Sequence, residues 1–201
     1  MPAAFPISRP SGARCRGCTR PSPRRSPRTA RIASSRRAVR RVREERLAYR
    51  AGLPGPLYCD ASALLKLYLA EPGSVELNRI LEGRRDVLVS DLAVTEVVSA
   101  LARRLRDGGL KAEAARRMQD AIIAALDDGV YRRLELTRDV HRRAEQLLVT
   151  LTRTPLRAAD ALHLALAASA RAATMASFDV RLSAAARAVG LTTCPITATR
   201  E

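Results

Sequence analysis

Tryptophan is absent from this 201-residue chain, and aromatic residues make up only 3% of it. Any core must therefore be built from Ala, Leu and Val. No apolar run reaches the roughly 18 residues that a membrane span needs, which argues against a membrane protein. Cysteines are few and scattered, at Cys15, Cys18, Cys59 and Cys194. That excludes a disulfide framework and favours a reducing, cytoplasmic setting. Cys15-x-x-Cys18 has half of a zinc spacing, but no second pair follows downstream. What the chain does have is apolar mass: at 47% hydrophobic it can bury a core, so the bulk of it is not a disordered protein.

Acidic residues are also scarce overall, and the formal net charge is +16. That value suggests a nucleic-acid partner until it is divided along the chain. Residues 1–56 hold fifteen Arg and no Lys against Glu44 and Glu45, a net of +13, and the remaining 145 residues carry only +3. The charge belongs to the N-terminal extension. Its Arg/Pro/Ser composition, as in Arg20-Pro21-Ser22-Pro23-Arg24, has neither helical nor strand period and predicts disorder. Only 36–50 could coil into a basic helix. The extension reads as an arm gripping phosphates, as a segment resembling an organelle transit peptide, or as sequence upstream of the true start.

From Leu57 onward, short apolar strands alternate with helices. Strands are expected at Leu57–Cys59, Val87–Ser90, Tyr131–Leu136, Thr174–Ser177 and Thr192–Cys194. Helices are expected at Ala63–Leu69, at Val75–Leu81 with Ser74 as cap, at Ala93–Arg106 and at Lys111–Leu126. The third of these stops at Gly108-Gly109. The last carries an apolar face of Ala114, Met118, Ala121, Ile122 and Ala125. Further helices are expected at Asp139–Leu151 behind a Thr137 cap, at Ala158–Ala173 and at Val180–Val189. This alternation predicts an α/β domain with a mainly parallel sheet, whose crevice opens at the carboxyl ends of the strands.

Four carboxylates stand in apolar surroundings. Asp60 follows the first strand and Asp179 follows the fourth; Glu96 lies in Leu92-Ala93-Val94-Thr95-Glu96-Val97-Val98, and Asp160 in Ala158-Ala159-Asp160-Ala161-Leu162. A lone buried carboxylate costs several kcal/mol, so each must be protonated, paired or bound to a cation. Plain roles exist for each: helix caps for Asp60 and Asp179, a solvent-facing position for Glu96, and a pair with Arg157 for Asp160. Taken together, four acids with no matching His or Cys set suit a hard ion such as Mg2+ or Mn2+. That chemistry serves in-line attack of water on a phosphate.

The segments Tyr58-Cys59-Asp60-Ala61-Ser62, Ser90-Asp91-Leu92-Ala93-Val94-Thr95-Glu96, Ala159-Asp160-Ala161-Leu162-His163-Leu164-Ala165 and Ser177-Phe178-Asp179-Val180-Arg181-Leu182 resemble the PIN-domain nucleases. The likeness is to the VapC-type toxins of bacterial toxin–antitoxin pairs, and it covers about 57–195. It implies a PIN-like three-layer α/β/α fold with a small parallel sheet, and a Mg2+- or Mn2+-dependent endoribonuclease. It also implies a cognate antitoxin and a homodimer. By position, Asp60, Glu96 and Asp160 match the main metal-site acids and Asp179 the fourth, with Ser62 as the hydroxyl near the first Asp. Cys59 replaces a usual aliphatic residue, Ser177 a usual Thr, and the Arg-rich extension has no counterpart.

The expectation is therefore an extension at 1–56 and a nuclease domain at 57–201 that hydrolyses RNA, in single strands or loops, with activated water and no side-chain nucleophile. The rivals are a non-catalytic nucleic-acid binder using the Arg arm and a DNA-directed nuclease of the same metal logic. His163 invites a role as general base, but a lone His in an apolar helix is more often a packed, hydrogen-bonded core residue. Arg157 and Arg181 could receive RNA phosphates or simply be solvated. The apolar helix faces around Leu64–Leu69 and Val97–Leu101 could meet a partner or form core.

Overall fold

The computed structural model describes residues 52–194. The Arg-rich extension through Ala51, with Cys15, Cys18 and the helix expected at 36–50, lies outside the described residues, as do 195–201.

Five strands, β1 (Leu57–Cys59), β2 (Val87–Ser90), β3 (Arg132–Leu134), β4 (Thr174–Ala176) and β5 (Thr192–Cys194), form one sheet of order β3-β2-β1-β4-β5. Every pairing is parallel. Seven helices among the described residues flank it: α1 (Ala61–Tyr68), α2 (Ser74–Leu81), α3 (Asp91–Arg106), α4 (Ala112–Asp127), α5 (Arg138–Thr150), α6 (Ala158–Ser169) and α7 (Val180–Ala188). None of them is long and apolar enough to cross a membrane.

A parallel sheet covered on both faces calls for strands that are apolar throughout, and β1, β2 and β4 are buried at every position. Side chains alternate across the sheet. Leu57, Cys59, Val87, Val89 and Ala176 join one core with Ala63, Leu64, Leu77, Val97, Leu101 and Ile122 of α1–α4. Tyr58, Leu88 and Met175 join the other, with Val140, Ala144, Leu164, Leu182 and Ala186 of α5–α7. The result is the expected α/β/α sandwich. Leu64, Leu65, Val97 and Leu101 are core residues, whereas Leu67, Leu69 and Val98 of the same stretches are only partly buried. The chain is already fastened before β1: Arg84 Nη1 donates to Leu53 O at 2.9 Å, and Thr174 Oγ1 to Pro54 O at 2.5 Å.

Four helices begin directly beyond strand ends, each behind a polar cap. Asp60, Ser90, Thr137 and Asp179 accept hydrogen bonds from the first-turn amides of α1, α3, α5 and α7. Capping chemistry thus lines the carboxyl edge of the sheet with oxygen atoms.

Several details differ from the sequence reading. Ser74 is the first residue of α2, not its cap; the cap position is Gly73 at φ 92, and Ser74 Oγ donates back to Leu69 O at 3.1 Å. The apolar face of α4 runs through Ala115, Met118, Ile122 and Leu126, while Ala121 is exposed. Helix α6 stops at Ser169, four residues early, because Arg171 turns left-handed at φ 55 and the Ala172 amide reaches back to Ala167 O at 2.8 Å. Strand β3 is shorter than expected, since only Arg132–Leu134 pairs with β2.

Candidate active site

From β1 the chain moves outward to β2 and β3, then returns to the other flank of β1 as β4. The strand order reverses between β1 and β4, and a crevice opens there beyond the carboxyl ends. Asp60 stands at the end of β1, and its backbone N–H donates to Ala176 O of β4 at 3.1 Å. Its carboxylate is buried, 3% exposed. Ser62 Oγ donates to both oxygens at 2.8 and 2.9 Å, Ala63 N–H to Oδ1 at 2.8 Å, and Ser177 Oγ to Oδ2 at 2.7 Å. Ser62 Oγ in turn accepts from the Phe178 amide at 2.8 Å, and Ser177 Oγ from the Asp179 amide at 3.1 Å. The two strand ends are therefore stitched together around one carboxylate. Burial raises its pKa above the ordinary value, opposed by the hydrogen bonds from Ser177, Ala63 and Ser62.

Glu96 lies in the second turn of α3, half-exposed, with its Oε2 2.7 Å from Nε2 of the buried His163 on α6. On its other side His163 Nδ1 is 2.6 Å from the Tyr58 hydroxyl, which is also 2.8 Å from Ser90 Oγ. Ser90 is shared with the helix cap, accepting from the Ala93 amide at 3.1 Å. Burial pushes the Tyr58 phenol well above its usual range, so it remains a proton donor.

Asp160, also buried, sits one turn before His163 and accepts from the Arg157 backbone amide at 3.0 Å. Among the described residues no ion pair joins it to the Arg157 guanidinium. Asp179 caps α7, with Oδ1 accepting from the Arg181 and Leu182 amides at 2.7 and 3.1 Å. The plain capping roles of Asp60 and Asp179 thus hold, and they place those acids at the crevice rather than removing them from it. His163 is a packed, hydrogen-bonded residue, as its apolar helix suggested.

The four acids share one end of the fold but not one point. Among the described residues no three His, Cys, Asp or Glu side chains converge closely enough to form a ready ion cage. Each acid is turned to a local donor: Asp60 to the Ala63 amide, Glu96 to His163, Asp160 to the Arg157 amide and Asp179 to the Arg181 amide. The donor set nevertheless fits a hard divalent ion. All four acids offer oxygen, and buried Asp60 and Asp160 have no Lys or Arg ion-pair partner among the described residues. Tyr58, Ser90 and Ser177 were not read as site residues from sequence. Their signal was a polar atom in or just after an otherwise apolar strand.

Residues 57–188 match the PIN domain family. Ribonuclease VapC45 of Mycobacterium tuberculosis (strain CDC 1551 / Oshkosh) is 36% identical over 145 residues, covering 69% of this chain and 94% of the relative. Ribonuclease VapC46 of M. tuberculosis (strain H37Rv) is 34% identical over 137 residues, covering 67% and 93%. The fold is similar to that of M. tuberculosis VapC20, described as a sarcin-ricin loop cleaving toxin. There the TM-score is 0.53 at 22% identity, over 65% of this chain and 95% of that one. With the sheet order, the crevice and these matches in agreement, the chain belongs to the PIN-domain family, among the VapC ribonucleases.

Proposed function

We propose that this protein is a ribonuclease toxin of the VapC type that hydrolyses RNA phosphodiester bonds at the crevice between β1 and β4. The observation that carries the site is the Asp60 carboxylate, buried at the strand-order reversal with no cation beside it among the described residues. Asp60, Glu96 and Asp160, with Asp179 as the fourth, would hold Mg2+ or Mn2+. When bound, such an ion acidifies water and neutralises charge that builds up on the phosphate under attack.

The chain's own residues prepare that site. Ser62, Ser177 and the Ala63 amide fix the rotamer of Asp60 and tie it to the Phe178–Asp179 turn. No side chain acts as nucleophile. Arg157 and Arg181, which flank Asp160 and Asp179 in sequence, are the candidates to receive RNA phosphates. Unpaired or looped RNA suits the crevice better than a duplex, because its bases can splay. A cognate antitoxin, a homodimeric state and a cytoplasmic location follow from the kinship with VapC proteins and are part of the same proposal.

Asp60→Ala or Asp160→Ala in the full-length chain should fold yet lose cleavage of RNA in Mg2+ or Mn2+. Full activity in either variant would overturn the site. Single-stranded DNA, assayed in parallel, separates this reading from a DNA-directed nuclease.

A further inference from the structure

The hydrogen-bonded row Ser90–Tyr58–His163–Glu96 crosses four elements, from β2 through β1 to α6 and α3, and the proposed chemistry leaves its central members unused. Tyr58 and His163 are almost completely buried, at 0% and 3% exposed, with ring centroids 5.8 Å apart in an edge-to-face arrangement. Each has two polar neighbours and no route to solvent through them except at Glu96. An ionised Glu96 carboxylate can only accept, so His163 Nε2 carries the proton on that side. With the imidazole neutral, one order of protons satisfies every member. Ser90 donates to Tyr58, Tyr58 donates to His163 Nδ1, and His163 Nε2–H donates to Glu96 Oε2. Ser90 Oγ remains free to accept the Ala93 amide.

From this geometry we infer that His163 is a positioning residue that holds Glu96 in register for the divalent ion, with Tyr58 fixing the imidazole. The inference rests on the nuclease reading above and names which residue sets one of its ligands. Glu96 needs such a hold more than the other three acids do. Asp60, Asp160 and Asp179 are braced by backbone amides at helix starts, whereas Glu96 projects from the second turn of α3 with a long, mobile side chain. Its Oε2 is engaged by His163, and Oε1 has no hydrogen-bond partner among the described residues and is available to a ligand. Carboxylates that bind metals are commonly oriented in this manner by an outer hydrogen-bond partner. Because His163 and Asp160 lie one turn apart on α6, the same contact also sets the distance between the helices that carry Glu96 and Asp160.

The test compares the full-length wild type with His163→Leu, His163→Gln and Tyr58→Phe, reading three quantities. These are Mn2+ binding by electron paramagnetic resonance, thermal stability without metal, and RNA cleavage as a function of Mn2+ concentration. Removing an outer partner of this kind weakens metal affinity by about 10–100-fold. His163→Leu should show that loss in Mn2+ binding, with the Mn2+ requirement for cleavage rising in step. Gln places an amide N–H near the Nε2 position and cannot relay a proton as imidazole does. His163→Gln should therefore recover most of the affinity and most of the cleavage, and Tyr58→Phe should fall between. The Gln and Phe variants keep the core filled, so they decide the matter if the Leu variant does not fold.

Wild-type Mn2+ affinity in His163→Leu, or in both Gln and Phe variants a loss of stability alone, would overturn the inference. So would normal Mn2+ binding with abolished cleavage in His163→Gln, which would make the imidazole a proton carrier. If the wild type neither binds Mn2+ nor cleaves RNA, the nuclease reading fails first and takes this inference with it.

Discussion

A carboxylate held as deep as Asp60 carries a standing cost as long as no cation answers its charge. Three donors soften that cost, yet its pKa remains above the ordinary carboxylate value. In the fold Asp60 therefore binds its proton more tightly than in the unfolded chain. Asp60's own contribution to stability must then fall as pH rises from about 4, the unfolded value, through the raised folded value. Asp60→Asn removes that charge while keeping a cap and a hydrogen-bond partner for Ser177 and Ser62. In metal-free protein at pH 7, the variant should gain about 1 kcal/mol, or a few degrees in Tm, over the wild type. The gain should shrink towards pH 4, where the wild-type carboxyl is protonated too. Paired melting curves at the two pH values check this, and the same variant should be inactive. A site residue that stabilises the fold when neutralised is one kept for function.

At the scale of elements, the turn joining α1 to α2 braces the site from below. Lys66 Nζ donates to Glu71 Oε2 at 2.9 Å and to Pro72 O at 3.0 Å, and lies 4.7 Å from the centre of the Phe178 ring. Arg104 of α3 pairs with Glu71 as well. Gly73 leaves room for that ring: a Cβ there would sit 2.6 Å from Phe178, and its φ of 92 is left-handed. Gly73→Ala should cost about 1–2 kcal/mol from backbone strain alone. By displacing Phe178 it should also loosen the amide that holds Ser62 and reduce RNA cleavage several-fold. Thermal melts and cleavage rates read the two effects separately. The opposite change is available at Arg171, a non-glycine residue at φ 55 just beyond α6. Arg171→Gly should stabilise by about 1 kcal/mol with cleavage unaltered, since the residue is exposed and precedes β4, at the opposite end of that strand from Asp179.

Those same elements mark what was legible before the fold was known. Strand positions could be read because β1, β2 and β4 must be apolar on both faces, and cap residues could be read because Asp60 stands directly after an apolar strand and Thr137 and Asp179 stand directly before helical segments. The end of α6 could not, because Ala170-Arg171-Ala172-Ala173 has high helix propensity and is broken only by a left-handed turn into β4. The four acids stood out by their apolar neighbours. The row through Ser90, Tyr58 and His163 did not, since its hydrogen bonds link residues 32, 105 and 67 positions apart and leave no local spacing to detect.

In the whole molecule, two separate cores clamp a sheet whose strands are three or four residues long, and the crevice lies where the strand order reverses. Most of the net positive charge belongs to residues 1–56, while 57–201 is close to neutral. Binding of RNA by the full-length chain should therefore weaken steeply with added salt, whereas the metal requirement for cleavage should follow the four acids. Filter binding between 50 and 200 mM salt checks the first; a steep dependence that persists after Arg-to-Ser replacement throughout 1–56 would count against it.

The central claim is that the acids at the carboxyl edge of the sheet form a divalent-ion site that cuts RNA. The most direct measurement is cleavage of a mixed RNA pool by the full-length chain in Mg2+ or Mn2+, repeated with EDTA and with Asp60→Asn. The expected result is cutting that requires the ion, stops with EDTA and is absent from the variant. Cleavage that continues in EDTA, or that survives in Asp60→Asn, would contradict it.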